Sequence, residues 1–580
     1  MSKGIEWLEE HFGIDVSKVN LCAIKFERKC EFFQGLSLAL FSEVGGKPQR
    51  KFRNLGIMID CARNGVPRVS SLKRIIAGLA LSGYTYLGLY LEDCFEVEGE
   101  PFFGYMRGRY SKSEIKEIVD FAGIFGIEVV PYIQTLAHLG RLFNHWDAYF
   151  TQVRDTNDIL LMDEPRTYVL IENMVKAAAD GFGKGRINIG LDEAFMMTYG
   201  KYRQLHGNQD VCDVFSRHVQ KVCEICEKYG MKPEAWSDMF LNYKEKVKVP
   251  ENLMLRAWEY SSEDATFYTE MMQNCEKMAD KVAFSGAVHK FYGYTPMNEY
   301  SVPIYCAALK GVEGKTEDFC LTLWGDDGSE CSVNAVWYAM LDLANRVHND
   351  VLKPQELDGL ARCITGYTME ELLAMDLPNK VFDGRMKRPV NVSKYMLFSD
   401  LFMGIADKPD DIIYTKYFKE HKKVLKQLAK REAPCAYIYD TLACICDVLE
   451  VKNDLRLKIR RAYENHNTEE LSHLAEYELP SVIKKLKKLC KLVEKQWLND
   501  YKPFGIEVQI YRLHGLVARV KYIKQTLERY AAEEINKIEE LEEADLTPAP
   551  MELDEHNGAS FFNSFEQNVT YCNFSHRVYI

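Results

Sequence analysis

The 580-residue sequence predicts an α/β fold: a (β/α)8 TIM barrel followed by an α-helical C-terminal domain, with a short N-terminal segment ahead of both. Three observations lead there. Eight short β-rich runs alternate with helical segments between residues 50 and 350, the pattern of a parallel sheet. Nearly every run ends in polar or aromatic residues, although strands buried on both faces are apolar throughout. Beyond residue 350 the alternation gives way to long, highly charged segments of helical period.

The chain begins "MSKGIEWLEEHFGIDVSKVN", an amphipathic helix with no apolar h-region, so it does not read as a secretory signal. The β-rich runs are NLGIMID (54–60), YTYLGLYLED (84–93), IEVVPYIQT (127–135) and INIGLDE (187–193), then KPEAWSD (232–238), LMLRAWEY (253–260), KVAFSG (281–286) and DFCLTLWGDD (318–327). Between them lie SSLKRIIAGLALSG, KSEIKEIVDFAGIFG and DVFSRHVQKVCEICEKYG, apolar at helical spacing, the last two closing on Gly126 and Gly230. Periodicity alone also admits a doubly wound open sheet. The run endings favour the barrel, whose catalytic face is built at the carboxyl ends of the strands. They are Asp60 with Arg63, Glu92 with Asp93, Gln134 leading to His138, and Asp192 with Glu193. Trp236 with Asp238, Trp258 with Tyr260, and Trp324 with Asp326 and Asp327 follow. Any single pair would also suit a helix cap; a whole series is better read as a cleft.

The resulting domains are a reduced N-terminal α/β segment (1–50), the catalytic barrel (51–350), the helical domain (351–546) and a tail (547–580). Helices are expected over 409–432, 436–463, 466–498 and 507–543, as a bundle whose charge runs are solvated faces. In the tail, aromatic and polar residues alternate, as in short strands.

Composition narrows the function. A net charge of -12 argues against nucleic-acid and anionic-membrane partners, which demand a basic face. No apolar run approaches the ~20 residues that span a bilayer. The 17 cysteines are scattered and sit mostly in apolar runs, as reduced core thiols of a cytoplasmic protein. Cys223 and Cys226 form a C-x-x-C inside a helical pattern with no second ligand pair, which does not read as a zinc site. No metal and no cofactor are expected: a metal-dependent barrel hydrolase wants two or three strand-end histidines, and here His138 stands almost alone, with His289 a distant second.

Adjacent Asp192 and Glu193 pose the central question, since consecutive strand residues point to opposite faces. They serve one site only if the pleat breaks there. Two neighbouring carboxylates push their pKa values apart, one ionised and one holding a proton near neutrality. That is what a glycosidase asks of its acid and its stabilising carboxylate. Tryptophans suit the apolar faces of sugar rings, and Arg63 suits hydroxyls through charge-assisted hydrogen bonds. The alternative is a helix-capping acid beside a solvated one.

The motif NIGLDEA resembles the signature of family 20 glycoside hydrolases, the β-N-acetylhexosaminidases, in which an Asp-Glu pair ends the fourth barrel strand. GIMIDCARNGVPRVSSLKRII, YLGLYLEDCFEVEGEPFFGYMRGRYS, VVPYIQTLAHLGRL, EAWSDMF and LWGDDGSE are similar to further family motifs, in order. The likeness is greatest to a divergent bacterial branch with a helical C-terminal domain. The resemblance implies that Glu193 is the general acid and then the base. It implies that Asp192 holds the substrate's 2-acetamido group, whose oxygen attacks the anomeric carbon to give an oxazolinium intermediate with net retention. Arg63 would bind ring hydroxyls; Trp236, Trp258 and Trp324 would wall the pocket; Tyr260 would bond the acetamido oxygen. Glu92 and Asp327 or Glu330 would grip outer hydroxyls, and His138 would support the acid pair, a buried structural histidine being the other reading. Typical members carry Gly-Gly before the acids, where this chain has Gly190-Leu191.

The expected activity is exo-β-N-acetylhexosaminidase, taking terminal GlcNAc or GalNAc from a small oligosaccharide or glycoconjugate. The alternatives are an exo-β-glucosaminidase on the same scaffold and a non-catalytic sugar-binding barrel. A homodimer is compatible with the sequence.

Overall fold

In the computed structural model, which describes residues 1–42, 50–243, 246–381, 391–404 and 414–544, eight parallel strands close into a barrel in chain order. They are β1 (Asn54–Asp60), β2 (Tyr86–Tyr90), β3 (Glu128–Tyr132), β4 (Arg186–Asn188), β5 (Lys232–Trp236), β6 (Met254–Trp258), β7 (Val282–Ala287) and β8 (Asp318–Leu323). Closure pairs β1 with β8 over six positions, from Asn54 opposite Asp318 to Ile59 opposite Leu323. This is the TIM barrel the alternation predicts, and not an open sheet.

Local chemistry sets the helix ends. Ser111 accepts from the Glu114 N–H and the Glu114 carboxylate returns to the Ser111 N–H, a capping box that opens the helix Lys112–Phe125. Gly126 closes it at φ 73°, in the left-handed region that favours glycine. Cys223 and Cys226 are buried within the helix Val211–Lys228.

The barrel is filled at two levels. Low in its lumen, fully buried Arg256 donates to Glu234 at 2.9 and 3.1 Å and to Asp318 at 3.0 Å; Asp318 also takes Tyr86 and Arg186, each at 2.7 Å. Charges this deep persist because each meets a partner of opposite sign and a hydrogen bond. Gly56 leaves room for the Tyr86 ring: a Cβ there would lie 2.0 Å from it. Above sits an aromatic cluster distinct from the main core, with Tyr90, Tyr132, Trp236 and Trp324 buried and Trp258 and Tyr260 packed against them.

Residues 1–42 form the helices Ser2–Phe12 and Lys29–Phe41 and contribute no strand. The predicted helix 507–543 is interrupted over residues 532–538, between Ile506–Ala531 and Glu539–Glu542, and two further breaks divide the other predicted spans. One falls at Asn453 and Asp454, between Ala436–Lys452 and Leu455–Glu464, where the Asn453 side chain accepts from the Tyr414 N–H at 2.9 Å. The other is a π turn, Leu474–Glu478, where Pro480 has no N–H to continue the α-helical ladder. The expected strands at 547–580 lie outside the described residues.

Candidate active site

The fourth strand shows how two adjacent acids reach one site. Regular pairing ends at Asn188, although the Ile189 carbonyl still accepts from the Thr135 N–H and the Gly190 carbonyl from the Trp236 N–H. The chain then turns through left-handed positions at Gly190 (φ 75°), Leu191 (φ 75°) and Glu193 (φ 52°). The pleat therefore breaks before the acids, not between them. Gly190 is needed for a second reason: a Cβ would lie 2.0 Å from Oε1 of Gln134. Leu191 tolerates the unfavourable φ because its side chain is wholly buried.

Both acids meet His138. Its Nε2 lies 3.2 Å from Asp192 Oδ2 and 3.5 Å from Glu193 Oε2, aligned on neither. Burial works against charge on the ring, but the nearby Asp192 carboxylate pushes the His138 pKa up to about 9. Asp192 is held reciprocally: burial would raise its pKa, yet His138 and a 2.8 Å hydrogen bond from Gln134 keep it below the usual carboxylate range. Glu193 differs in setting, its side chain being 47% exposed against 11% for Asp192. One acid is thus fixed and ionised, and its neighbour opens to the mouth.

A third carboxylate joins them. Asp238 accepts from the Glu193 backbone N–H at 2.8 Å and from the Trp258 indole N–H at 3.3 Å. Burial, then the charge of Asp192, push it up to about 7. The split between a low and a high carboxylate that the sequence suggests therefore falls on Asp192 and Asp238.

The remaining predicted residues divide. Trp236, Trp258, Tyr260 and Trp324 come together: Trp258 and Tyr260 lie 5.0 Å apart between ring centres, and Trp236 and Trp324 6.3 Å. Burial raises the Tyr260 hydroxyl's pKa. Arg63 donates to Glu92 at 2.6 Å, its guanidinium 5.2 Å over the Tyr90 ring and 5.5 Å over Trp324. Burial raises the Glu92 pKa, with Arg63 opposing it. Asp327 and Glu330 are engaged elsewhere. Lys394 contacts them at 2.5 and 2.9 Å, and Arg512 reaches Glu330 at 2.7 Å, all four side chains being buried. Asp326 is the acid of this loop that approaches Arg63, at 3.9 Å from Nε. Gln134, Asp238 and Asp326 each stand at a predicted strand end, the signal that finds them; Lys394 and Arg512 carry no such signal.

Among the described residues no group of three or more His, Cys, Asp or Glu is placed to hold a metal ion, and no helix is long and apolar enough to cross a membrane.

The chain is similar to known proteins over part of its length. Human hexosaminidase D is 27% identical over 211 residues, 34% of this chain and 43% of that protein. A β-hexosaminidase of Akkermansia muciniphila is 23% identical over 224 residues, 33% of this chain and 45% of its own. This chain thus spans less than half the length of either relative. Among solved structures, an exo-β-N-acetylglucosaminidase from Vibrio harveyi in complex with N-acetylglucosamine is 15% identical, with a TM-score of 0.44, covering 60% of this chain and 64% of that one. Residues 51–277 match the model of the glycosyl hydrolase family 20 catalytic domain, and residues 370–559 match that of the glycoside hydrolase 20C C-terminal domain. The two matches lie in the order the strands and helices require, and the chain belongs to the family 20 glycoside hydrolases.

Proposed function

We propose that this protein is a retaining exo-β-N-acetylhexosaminidase, removing terminal β-linked GlcNAc or GalNAc from small oligosaccharides or glycoconjugates by substrate-assisted catalysis. The observation that carries the reading is the asymmetry of the acid pair about His138: Asp192 buried and held ionised, Glu193 half-exposed at the mouth. An ionised, immobile carboxylate suits the N–H of an acetamido group, polarising its oxygen for attack on the anomeric carbon. An accessible carboxyl suits proton delivery to the leaving oxygen, and later removal of a proton from water. No protein nucleophile is then required, the exception this family makes among retaining glycosidases. The aromatic cluster of Trp236, Trp258, Trp324 and Tyr260 would enclose the acetamido methyl and the sugar face, and Arg63 with Glu92 the ring hydroxyls.

The test compares p-nitrophenyl β-GlcNAc, β-GalNAc, β-glucosaminide and β-glucoside, with and without a chelator. Turnover of the first two alone, unaffected by chelator and inhibited by a thiazoline analogue, is expected. Glu193→Ala should lose about 10²–10⁴-fold in kcat. Equal turnover of the plain glucoside, or a near-normal rate in that variant, overturns the reading.

A further inference from the structure

The whole-chain charge of -12 hides a strongly basic face on the helical domain. Across the two helices Leu479–Asp500 and Ile506–Ala531 with their connection, twelve Lys and Arg stand against four Asp and Glu, a local charge of +8 that leaves -20 for the remainder. The two helices pack side by side in opposite directions. His514 of the second lies 3.9 Å from Glu494 of the first, and Lys524 shares a groove with Lys484 and Lys487.

Lys484, Lys487, Lys488, Lys491 and Lys495 recur at helical spacing along one side of the first helix, all exposed. None of the five is in an ion pair among the described residues, whereas Lys485, off that line, is half-buried and pairs with Asp447. Like charges four residues apart on a helix repel, so the row destabilises the free molecule and calls for an opposite surface. Large apolar side chains stand out from the same pair of helices: Tyr511 is 74% exposed, Tyr522 52% and Leu498 42%. Tyr511 and Tyr522 share one line of their helix with exposed Ala518 between them. The groove among the lysines, about 480 Å³, is lined also by apolar Pro480 and Ile483. This combination suits a boundary that is anionic outside and apolar beneath: lysine heads meet lipid phosphates while tyrosine and leucine enter the headgroup layer. A purely polyanionic partner would answer the lysines and leave Tyr511 and Leu498 in water.

We propose that this face of the helical domain docks the protein on an anionic phospholipid membrane surface. The protein lies on the surface by this face; no helix among the described residues is long and apolar enough to cross it.

The test floats the full-length protein with vesicles of phosphatidylcholine alone and of equal parts phosphatidylcholine and phosphatidylglycerol, at low and at high salt. Flotation with the anionic vesicles only, lost at high salt through screening, is expected. Lys487→Gln, Lys488→Gln and Lys491→Gln together should lower the partition coefficient by about a hundredfold, at about fivefold per lysine near a charged surface. The matching arginine triple should keep it, and Tyr511→Ser should weaken flotation with the salt dependence unchanged. Melting temperatures should stay at the native value throughout. No flotation with either vesicle, an unchanged coefficient in the glutamine triple or its loss in the arginine triple overturns the inference. So does a lowered melting temperature in the glutamine triple, which would assign the lysines to the fold. Binding of soluble poly-glutamate or duplex DNA that matches the vesicles and is indifferent to Tyr511 would assign the face to an acidic macromolecule, and overturns it equally.

Discussion

Replacing His138 by glutamine tests the centre of the site. The side chain is buried, with Nε2 within 3.5 Å of both acids, and its pKa is raised from 6.5 to about 9. At about 1.4 kcal/mol per decade, this corresponds to about 3 kcal/mol in favour of the folded, charged form. The sign follows from proton binding: between the two values the native state holds a proton that the unfolded chain has released. The contribution is therefore complete below pH 6.5 and disappears as pH rises through about 9. Chemical denaturation of the native protein and of His138→Gln, from pH 5 to 10, should give a stability difference that shrinks by about 3 kcal/mol across the alkaline half of that range. The activity of the native protein should fall along the same limb as Asp192 and Glu193 lose their shared cation, and the variant should lack that limb. Taking the difference removes the packing change, which does not depend on pH. A difference that stays flat from pH 6 to 10 would refute a charged His138.

Three further outcomes follow from the same geometry. Asp238→Asn removes a carboxyl whose pKa is raised to about 7. Native stability should decline between about pH 4 and pH 7, because folding must take up a proton that the unfolded chain has released, a decline that pH-dependent melting should find reduced in the variant, with the Trp258 fluorescence environment altered. Arg256→Met strands Glu234 and Asp318 in the barrel lumen and should destabilise by about 3–5 kcal/mol in denaturant titration. Lys394→Met leaves Asp327 and Glu330 with less compensation and should destabilise by a similar 3–5 kcal/mol or so, with KM rising as the β8 loop beside Arg63 loosens.

The legible and illegible parts of this molecule differ for a physical reason. Strands buried on both faces must be apolar, and their polar endings must be accommodated at a cleft, so local sequence marks both the barrel and its mouth. The extent of β4 is a different matter. Ile187, Ile189 and Leu191 alternate as a strand would, and all three are buried, yet Leu191 reaches its pocket through a left-handed turn. Burial pattern and backbone path part company there. Asp326 and Asp327 are equivalent in sequence and opposite in duty, because their partners, Arg63 and Lys394, come from distant points of the chain. Arg107, in a loop, and Arg141, in the short helix Gly140–His145, stand in segments whose local pattern predicts nothing, and only the assembled fold shows that the guanidinium of one is satisfied while Nε and Nη2 of the other are not.

The clamp of Lys394 and Arg512 on Asp327 and Glu330 also bears on how the molecule comes into being. A ribosome that has released residues 1–350 has already made all eight strands. At that moment two carboxylates next to the mouth have no cation, and Asn64, adjacent to Arg63, has not met the Gly505 carbonyl that it will bond at 2.8 Å. The barrel can collapse during synthesis, since domains generally fold from the N-terminal side as they emerge. Its working face has to wait for the chain to reach Arg512. Nascent chains stalled near residue 400 should accordingly be compact but sensitive to proteases at the loops after β1 and β8. Competence would then arrive late and all at once, timed by translation and not by the closure of the sheet.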